Sequence, residues 1–281
     1  MGLAFDAIEP KVYPVALELF KSGMKRYQVA GKIYKQFGEW FGVPESEVAT
    51  AMIDLSISCA EKDYIDRSVF DRENINNRFN QVIKMAWEIF QCKVGNGLID
   101  IYNEASMQLQ FACILQNLIP VFIYKKDENV EIELEKTLYY NDKPLGEVDM
   151  FVVIRKGNNK PHNIAIEMKC YKEQASSGGK RGATDIFMKD VYVDIEKLEN
   201  YKSKGTCQDT VLLVMTDLKR LVHPKNKDAK CWDYDISDGS SILEPKELHT
   251  PIGGKEDISI KINNQYLFKW TEADKYYFLI L

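Results

Sequence analysis

The chain lacks the raw material of several common chemistries. Its 281 residues include six cysteines, Cys59, Cys92, Cys113, Cys170, Cys207 and Cys231, and no two form a C-x-x-C pair, which argues against zinc and iron–sulfur centres. Scattered thiols suit a reducing compartment, so the expected location is the cytoplasm. Histidine is scarce at three residues, and none is evident beside Cys170, which therefore reads as structural rather than nucleophilic. No G-x-x-x-x-G-K-[ST] loop is present to cradle the phosphates of a nucleotide-driven motor. The chain shows no internal repeat, no low-complexity tract, no apolar run approaching the eighteen or so residues of a membrane span, and no signal-peptide pattern before its first helical stretch. Excess positive charge is missing too. A net charge of −5 argues against a general coater of nucleic acid, which needs lysine and arginine to displace counterions from phosphate, though a local basic patch can still serve an enzyme.

What is present is ordinary globular composition, a length suited to one enzyme domain with appendages, and one informative stretch. From Gly146 to Lys169 the sequence reads GEVDMFVVIRKGNNKPHNIAIEMK. Two apolar strands, MFVVI and NIAIEM, are joined by turn residues Gly157, Asn158, Asn159 and Pro161, which predicts a hairpin. Asp149 enters the first strand, and Glu167 and Lys169 leave the second, where burial alone would not choose charge. Alternation along a strand puts Glu167 and Lys169 on one face and turns Met168 to the other. If the hairpin pairs Asp149 with Glu167, two carboxylates and an ammonium converge. Carboxylates that close repel each other unless a cation lies between them. Oxygen ligands suit a hard divalent ion, magnesium above all, with manganese as a substitute. Lys169 would orient or help deprotonate a metal-bound water and offset charge on a phosphate under attack. The plain alternative is a solvated strand edge, since E-x-K alone matches by chance in many proteins.

GEVD, an eighteen-residue step from Asp149 to Glu167, and then IEMK resembles the core motif of the PD-(D/E)XK nuclease superfamily, the restriction-endonuclease-like fold. Val148 stands at the motif's proline position, which is not a ligand. The resemblance implies Asp149 and Glu167 as metal ligands, joined by the Met168 carbonyl, and Lys169 as the catalytic lysine. The family also carries an acid on the helix preceding these strands. Glu104 in NEASMQLQFACIL fits it, as an acid that supports the ligands or holds a second ion, and Gln108 lies one turn further along the same face.

Around this motif the expected fold is an α/β, restriction-endonuclease-like mixed sheet flanked by helices. Residues 1–95 read as a helical region serving as a cap, a dimer contact or a DNA reader, 96–235 as the catalytic core, and 236–281 as a β extension. In the first region VYPVALELFKSGM stops at Ser22-Gly23, RYQVAGKIYKQFGEWFG buries Tyr27, Ala30, Ile33, Tyr34 and Phe37, and Pro44–Glu47 starts a further helix. FNQVIKMAWEIFQ carries a stripe of Phe79, Ile83, Ala86, Trp87 and Phe90. In the core, a helix over Ile99–Leu118 stops at Pro120, and VEIELEKTLYY turns at Asn141–Pro144 into the Asp149 strand. After IEMK, a glycine-rich loop with Lys172, Lys180 and Arg181 lies where a nucleic-acid backbone would pass. Asp185 caps a helix with Ile186, Val191, Ile195 and Leu198 inward, and TVLLVMTD is a buried strand parallel to its neighbour. The basic segment LKRLVHPKNKDAK could flank a substrate groove, with His223 an exposed loop histidine. The closing residues form strands about an Asn263-Asn264 turn. The expected activity is magnesium-dependent cleavage of double-stranded DNA by a type II restriction-like endonuclease acting as a homodimer. The alternatives are an inactive nucleic-acid-binding or architectural subunit of the same fold, and an RNA nuclease.

Overall fold

The computed structural model describes residues 2–22, 24–41, 50–51, 53–54, 56–58, 60, 74–174, 178–179, 181–254 and 256–281. The expected helix start at Pro44–Glu47, Gly23, Cys59, Ser176-Ser177 and the cation Lys180 lie outside the described residues. Two compact units divide the chain, Met1–Asn74 and Ile75–Leu281.

The first unit contains α1 (Gly2–Lys21) and α2 (Arg26–Phe41), and its described residues at 50–51, 53–54, 56–58 and 60 are helical as well. Its core is Val12, Ala16 and Phe20 from α1, Val29, Ile33 and Phe37 from α2, and Ile53, Ile57 and Ala60. Tyr27 was expected inside, but it is 71% exposed and Val29 takes the buried position. Tyr34 ties the helices by donating to Asp54 at 2.8 Å.

The second unit is a mixed six-stranded sheet covered by helices. In chain order it has α3 (Ile75–Gly95), α4 (Glu104–Phe122), β1 (Glu128–Tyr140), β2 (Lys143–Lys156), β3 (His162–Tyr171), α5 (Thr184–Ser203), β4 (Asp209–Thr216), the short α6 (Lys219–Val222) and a 3₁₀ turn at Lys230–Tyr234. Six short strands follow: β5 (Ser241–Ile242), β6 (Lys246–Leu248), β7 (Ile260–Ile262), β8 (Tyr266–Leu267), β9 (Thr271–Ala273) and β10 (Tyr276–Ile280). The sheet order is β1-β2-β3-β4-β10-β9. All neighbours are antiparallel except β3 and β4, whose parallel pairing requires the α5 crossover.

Alternation decides which side each residue serves. Met150, Val152 and Ile154 of β2 and Ile164, Ile166 and Met168 of β3 pack against α3 and α4. Phe151, Val153, Ala165 and Tyr171 pack against α5 and the small strands. The boundary at 95 gives way to one at Asn74, because the aromatic stripe of α3 is the sheet's own cover: Trp87 stacks on Phe90 at 5.1 Å and meets Phe278 of β10 edge-on at 5.6 Å. A buried ion pair pins α3 to β1, with Arg78 Nη2 2.6 Å from Glu128 Oε2 and Arg78 Nε donating to the Phe122 carbonyl.

Other expectations shift at element ends. α4 begins at Glu104, not Ile99, because Asn103 accepts from Ser106 N and the Ser106 hydroxyl accepts from Asn103 N, a reciprocal cap. Pro120 sits inside its last turn rather than stopping it. By length and composition this helix could cross a membrane, with a mean hydropathy of 1.2 over its most apolar window. Here Met107, Phe111, Leu115, Ile119 and Phe122 are buried in the core shared with the sheet. Asp185 lies in the first turn of α5, and Ala183 in a left-handed conformation occupies the cap without a side-chain bond. Asn263 and Asn264 join β7 to β8, but β7 pairs with β6 and β8 with β5. The two asparagines instead donate four N–H groups to the Glu199 carboxylate of α5.

Candidate functional site

The β1–β2 turn lies within the expected Asn141–Pro144 stretch, with Asn141 and Asp142 both at positive φ, and a register shift between Leu138 and Tyr139 separates it from the pairing around Asp149. β2 and β3 then pair from Ile154↔His162 to Met150↔Ile166, where the ladder stops. Asp149 and Glu167 occupy the next position in that register. Beyond it the main-chain groups of β3 need other partners. Asp149 Oδ2 accepts from Met168 N at 2.6 Å, and Glu104 Oε2 accepts from Cys170 N at 3.4 Å. Two carboxylates thus stand in for strand carbonyls along the gap. The carbonyl of a strand residue leaves on the same edge as its N–H, so that of Met168 also faces this gap.

Gln108, one turn after Glu104, closes the gap from the α4 side. It is 8% exposed, and its amide nitrogen donates to Glu135 Oε1 at 2.7 Å and to the Asp149 carbonyl. Glu135 is the β1 residue opposite Asp149 and adopts φ +50, which turns its carboxylate onto Gln108. Both amide hydrogens are therefore spent within the protein, and Gln108 is not presented to nucleic acid as expected.

From the other side α5 contributes two charged residues that periodicity concealed. Asp194 falls on the inward stripe between Val191 and Leu198, and it is 6% exposed. Its Oδ2 lies 3.2 Å from Lys169 Nζ, whose other neighbour is Glu104 Oε1 at 3.4 Å. Lys197 Nζ lies 2.7 Å from Glu167 Oε1. One turn on, Tyr201 donates to the Glu147 carbonyl at 3.3 Å, and it explains the glycine of GEVD: a Cβ on Gly146 would meet the Tyr201 hydroxyl at 2.7 Å. The detectable signal was an aspartate at a core position of an amphipathic helix.

Four carboxylates, Asp149, Glu167, Asp194 and Glu104, thus face two ammoniums, Lys169 and Lys197. Fully ionised, the group would be two positive charges short of neutral. Burial, then repulsion from Asp149 and Asp194, pushes the Glu167 carboxyl up to about 8 against the pull of Lys197. Burial raises Asp194 to about 6, with Lys169 opposing. Glu104 is raised as well, first by burial, with Lys169 opposing and Asp149 adding to the rise. Burial works against the Lys169 ammonium, but Asp194 and Glu104 outweigh it and hold the group protonated beyond the ordinary lysine range. In this form Lys169 has no lone pair with which to take a proton.

The donor set fits a hard divalent cation. It is all oxygen, it lacks two positive charges, and Glu167 Oε1 and Asp194 Oδ2 are buried without an aligned hydrogen-bond donor even though a lysine stands near each. Among the described residues no three Asp, Glu, His or Cys side chains already converge as a ready-made metal centre. The implied ligands number two carboxylates, Asp149 and Glu167, and one main-chain carbonyl.

The loop cations are placed differently. Lys172 Nζ donates to the Ile101 carbonyl at 2.6 Å, which ties the loop to the approach of α4. Arg181 is exposed, with its guanidinium 5.8 Å from the Tyr171 ring centroid, while the Tyr171 hydroxyl donates to the Arg181 carbonyl at 2.9 Å. Cys170 is buried, and burial pushes its thiol up to about 12, which suits a packed side chain rather than a nucleophile. Compared with known proteins, the chain matches no family model, no curated protein and no solved structure.

Proposed function

We propose that this protein is a magnesium-dependent phosphodiesterase of the PD-(D/E)XK, restriction-endonuclease-like type that cuts DNA. The observation that carries the reading is the parting of β2 and β3 at Asp149 and Glu167, which leaves a buried, oxygen-lined, charge-deficient gap with Lys169 beside it. The order of elements, an acid-bearing helix, an antiparallel hairpin, a crossover helix and a parallel strand, supports the same fold.

Asp149, Glu167 and the Met168 carbonyl would hold the ion. When bound, it supplies a Lewis acid for the phosphate and a water of lowered pKa. The protein's own part is positional. Asp149 keeps the gap open by capping Met168 N. Lys169, held as an ammonium by Asp194 and Glu104, offers positive charge and a proton to the phosphate oxygens as negative charge develops. Lys197 screens Glu167. Glu104 fixes the end of α4 against Cys170 N and keeps Lys169 turned into the site.

The test is incubation of the protein with supercoiled plasmid in magnesium and in EDTA. Nicking in magnesium alone is expected, with Asp149→Ala and Lys169→Ala inactive but folded. Full activity in either variant overturns the assignment. Binding of DNA without cleavage in magnesium or manganese identifies the inactive binding subunit instead, and faster cleavage of an RNA oligonucleotide than of DNA identifies the RNA nuclease.

A further inference from the structure

The basic segment that follows β4 closes a cleft of ≈ 570 Å³ against the start of α5. Met188, Leu221 and Trp232 line its apolar floor, and Lys219, Arg220 and Lys225 stand on its rim. Met188 and Leu221 are fully buried, while Trp232 is half-exposed with Lys227 5.6 Å from its ring centroid. Arg220 anchors the segment by donating to Thr184 Oγ1 at 2.8 Å.

Residues 219–230 carry five cations, Lys219, Arg220, Lys225, Lys227 and Lys230, against one acid, Asp228, in a chain of net charge −5. Lys227 is engaged with Asp235 and Ser237. Lys219 and Lys225 make no ion pair among the described residues. Five cations concentrated in twelve residues, Lys219 and Lys225 among them without an ion pair, are complementary to phosphate on an otherwise acidic protein. An apolar floor with an indole adds a surface for a flat ring, so the cleft as a whole complements a nucleotide. Its position agrees: Thr184 lies ten residues before Asp194 on α5, about 15 Å along the axis, the rise of four to five nucleotides in a B-form strand.

We infer that this cleft holds one nucleotide of the strand cut at the Asp149–Glu167–Lys169 site, its phosphate between Arg220 and Lys225 and its base on Trp232. The inference rests on the nuclease reading for what happens to the strand, not for the binding itself.

The experiment is fluorescence anisotropy of a labelled twelve-residue thymidine oligonucleotide against the full chain, with calcium replacing magnesium, across a salt series. Arg220→Glu with Lys225→Glu should weaken binding at least about thirtyfold and flatten the plot of log K against log salt by about 1.4, the share of two phosphate contacts on a single strand. Trp232→Ala should weaken it about tenfold with the slope unchanged. Lys225→Glu alone alters one exposed side chain, keeps the fold by circular dichroism, and should still weaken binding about fivefold. Wild-type affinity and slope in Lys225→Glu overturns the inference. If the wild type cleaves DNA in magnesium and Lys225→Glu binds normally, the cleft fails and the nuclease reading stands. If binding follows the cleft variants but nothing is cleaved, the cleft stands and the nuclease reading fails.

Discussion

Glu167→Gln should make the metal-free protein more stable, and the gain should depend on pH in a defined way. Glu167 is 1% exposed, and its carboxyl is raised from an ordinary 4.5 to about 8 in the folded state. Below pH 4.5 it is protonated whether the chain is folded or not, and wild type and variant should be alike. Between 4.5 and 8 the unfolded chain ionises while the folded chain does not. Unfolding is then favoured by about 1.4 kcal/mol for each pH unit. Above 8 both states are ionised and the penalty stays constant. Glutamine carries no such penalty, so the variant's advantage should grow from near zero at pH 4.5 to about 3 kcal/mol at pH 7. Lys197 loses its partner but can reach water, since its side chain is 30% exposed, which trims the figure to about 2 kcal/mol. Urea unfolding in EDTA at pH 5, 7 and 9 measures the difference directly. A variant less stable than wild type at pH 9 would show that Glu167 is a satisfied structural acid and would refute the charge-deficient cluster.

Three further outcomes follow from the same geometry. Magnesium binding should release close to one proton at pH 7 and about a tenth of one at pH 9, since Glu167 must ionise to ligate; titration calorimetry in buffers of different ionisation enthalpy reads this, and equal release at both pH values contradicts it. Glu128→Gln removes the buried carboxylate that faces Arg78 Nη2 at 2.6 Å and should cost on the order of 3 kcal/mol in chemical unfolding, with a loss under 1 kcal/mol refuting the pair's role. Gly146→Ala drives a methyl group into the Tyr201 hydroxyl and should lower plasmid nicking, while pairing it with Tyr201→Phe, which removes the clashing oxygen, should restore part of the rate; no recovery in the double variant shows that the glycine serves another purpose.

The hairpin was legible because its signals are local. The Gly157, Asn158, Asn159 and Pro161 turn signals and the period-two alternation of β2 and β3 announced the hairpin, while the facing of Asp149 and Glu167 stayed conditional on a register that only the pairing of Met150 with Ile166 fixes. Features that depend on distant partners were not. Gly95 and Gly97 look like a domain boundary in sequence, yet α3 packs on a strand from the far end of the chain, through Trp87 and Phe278. Asn263-Asn264 has the chemistry of a hairpin turn, but Glu199 captures both residues, and β7 and β8 pair elsewhere. Asp194 and Lys197 complete the site from a helix whose pattern announces only its apolar face. Lys169 is expected from sequence to orient or help deprotonate a metal-bound water, and which of the two it can do depends on a charge state that Asp194 and Glu104 decide across space.

The most direct measurement is anomalous diffraction from a crystal soaked in manganese. A peak is expected within roughly 2.2 Å of carboxylate oxygens of both Asp149 and Glu167 and of the Met168 carbonyl, lost in Asp149→Ala. A peak elsewhere with none between these two strands, from a protein shown to bind the ion in solution, would contradict it.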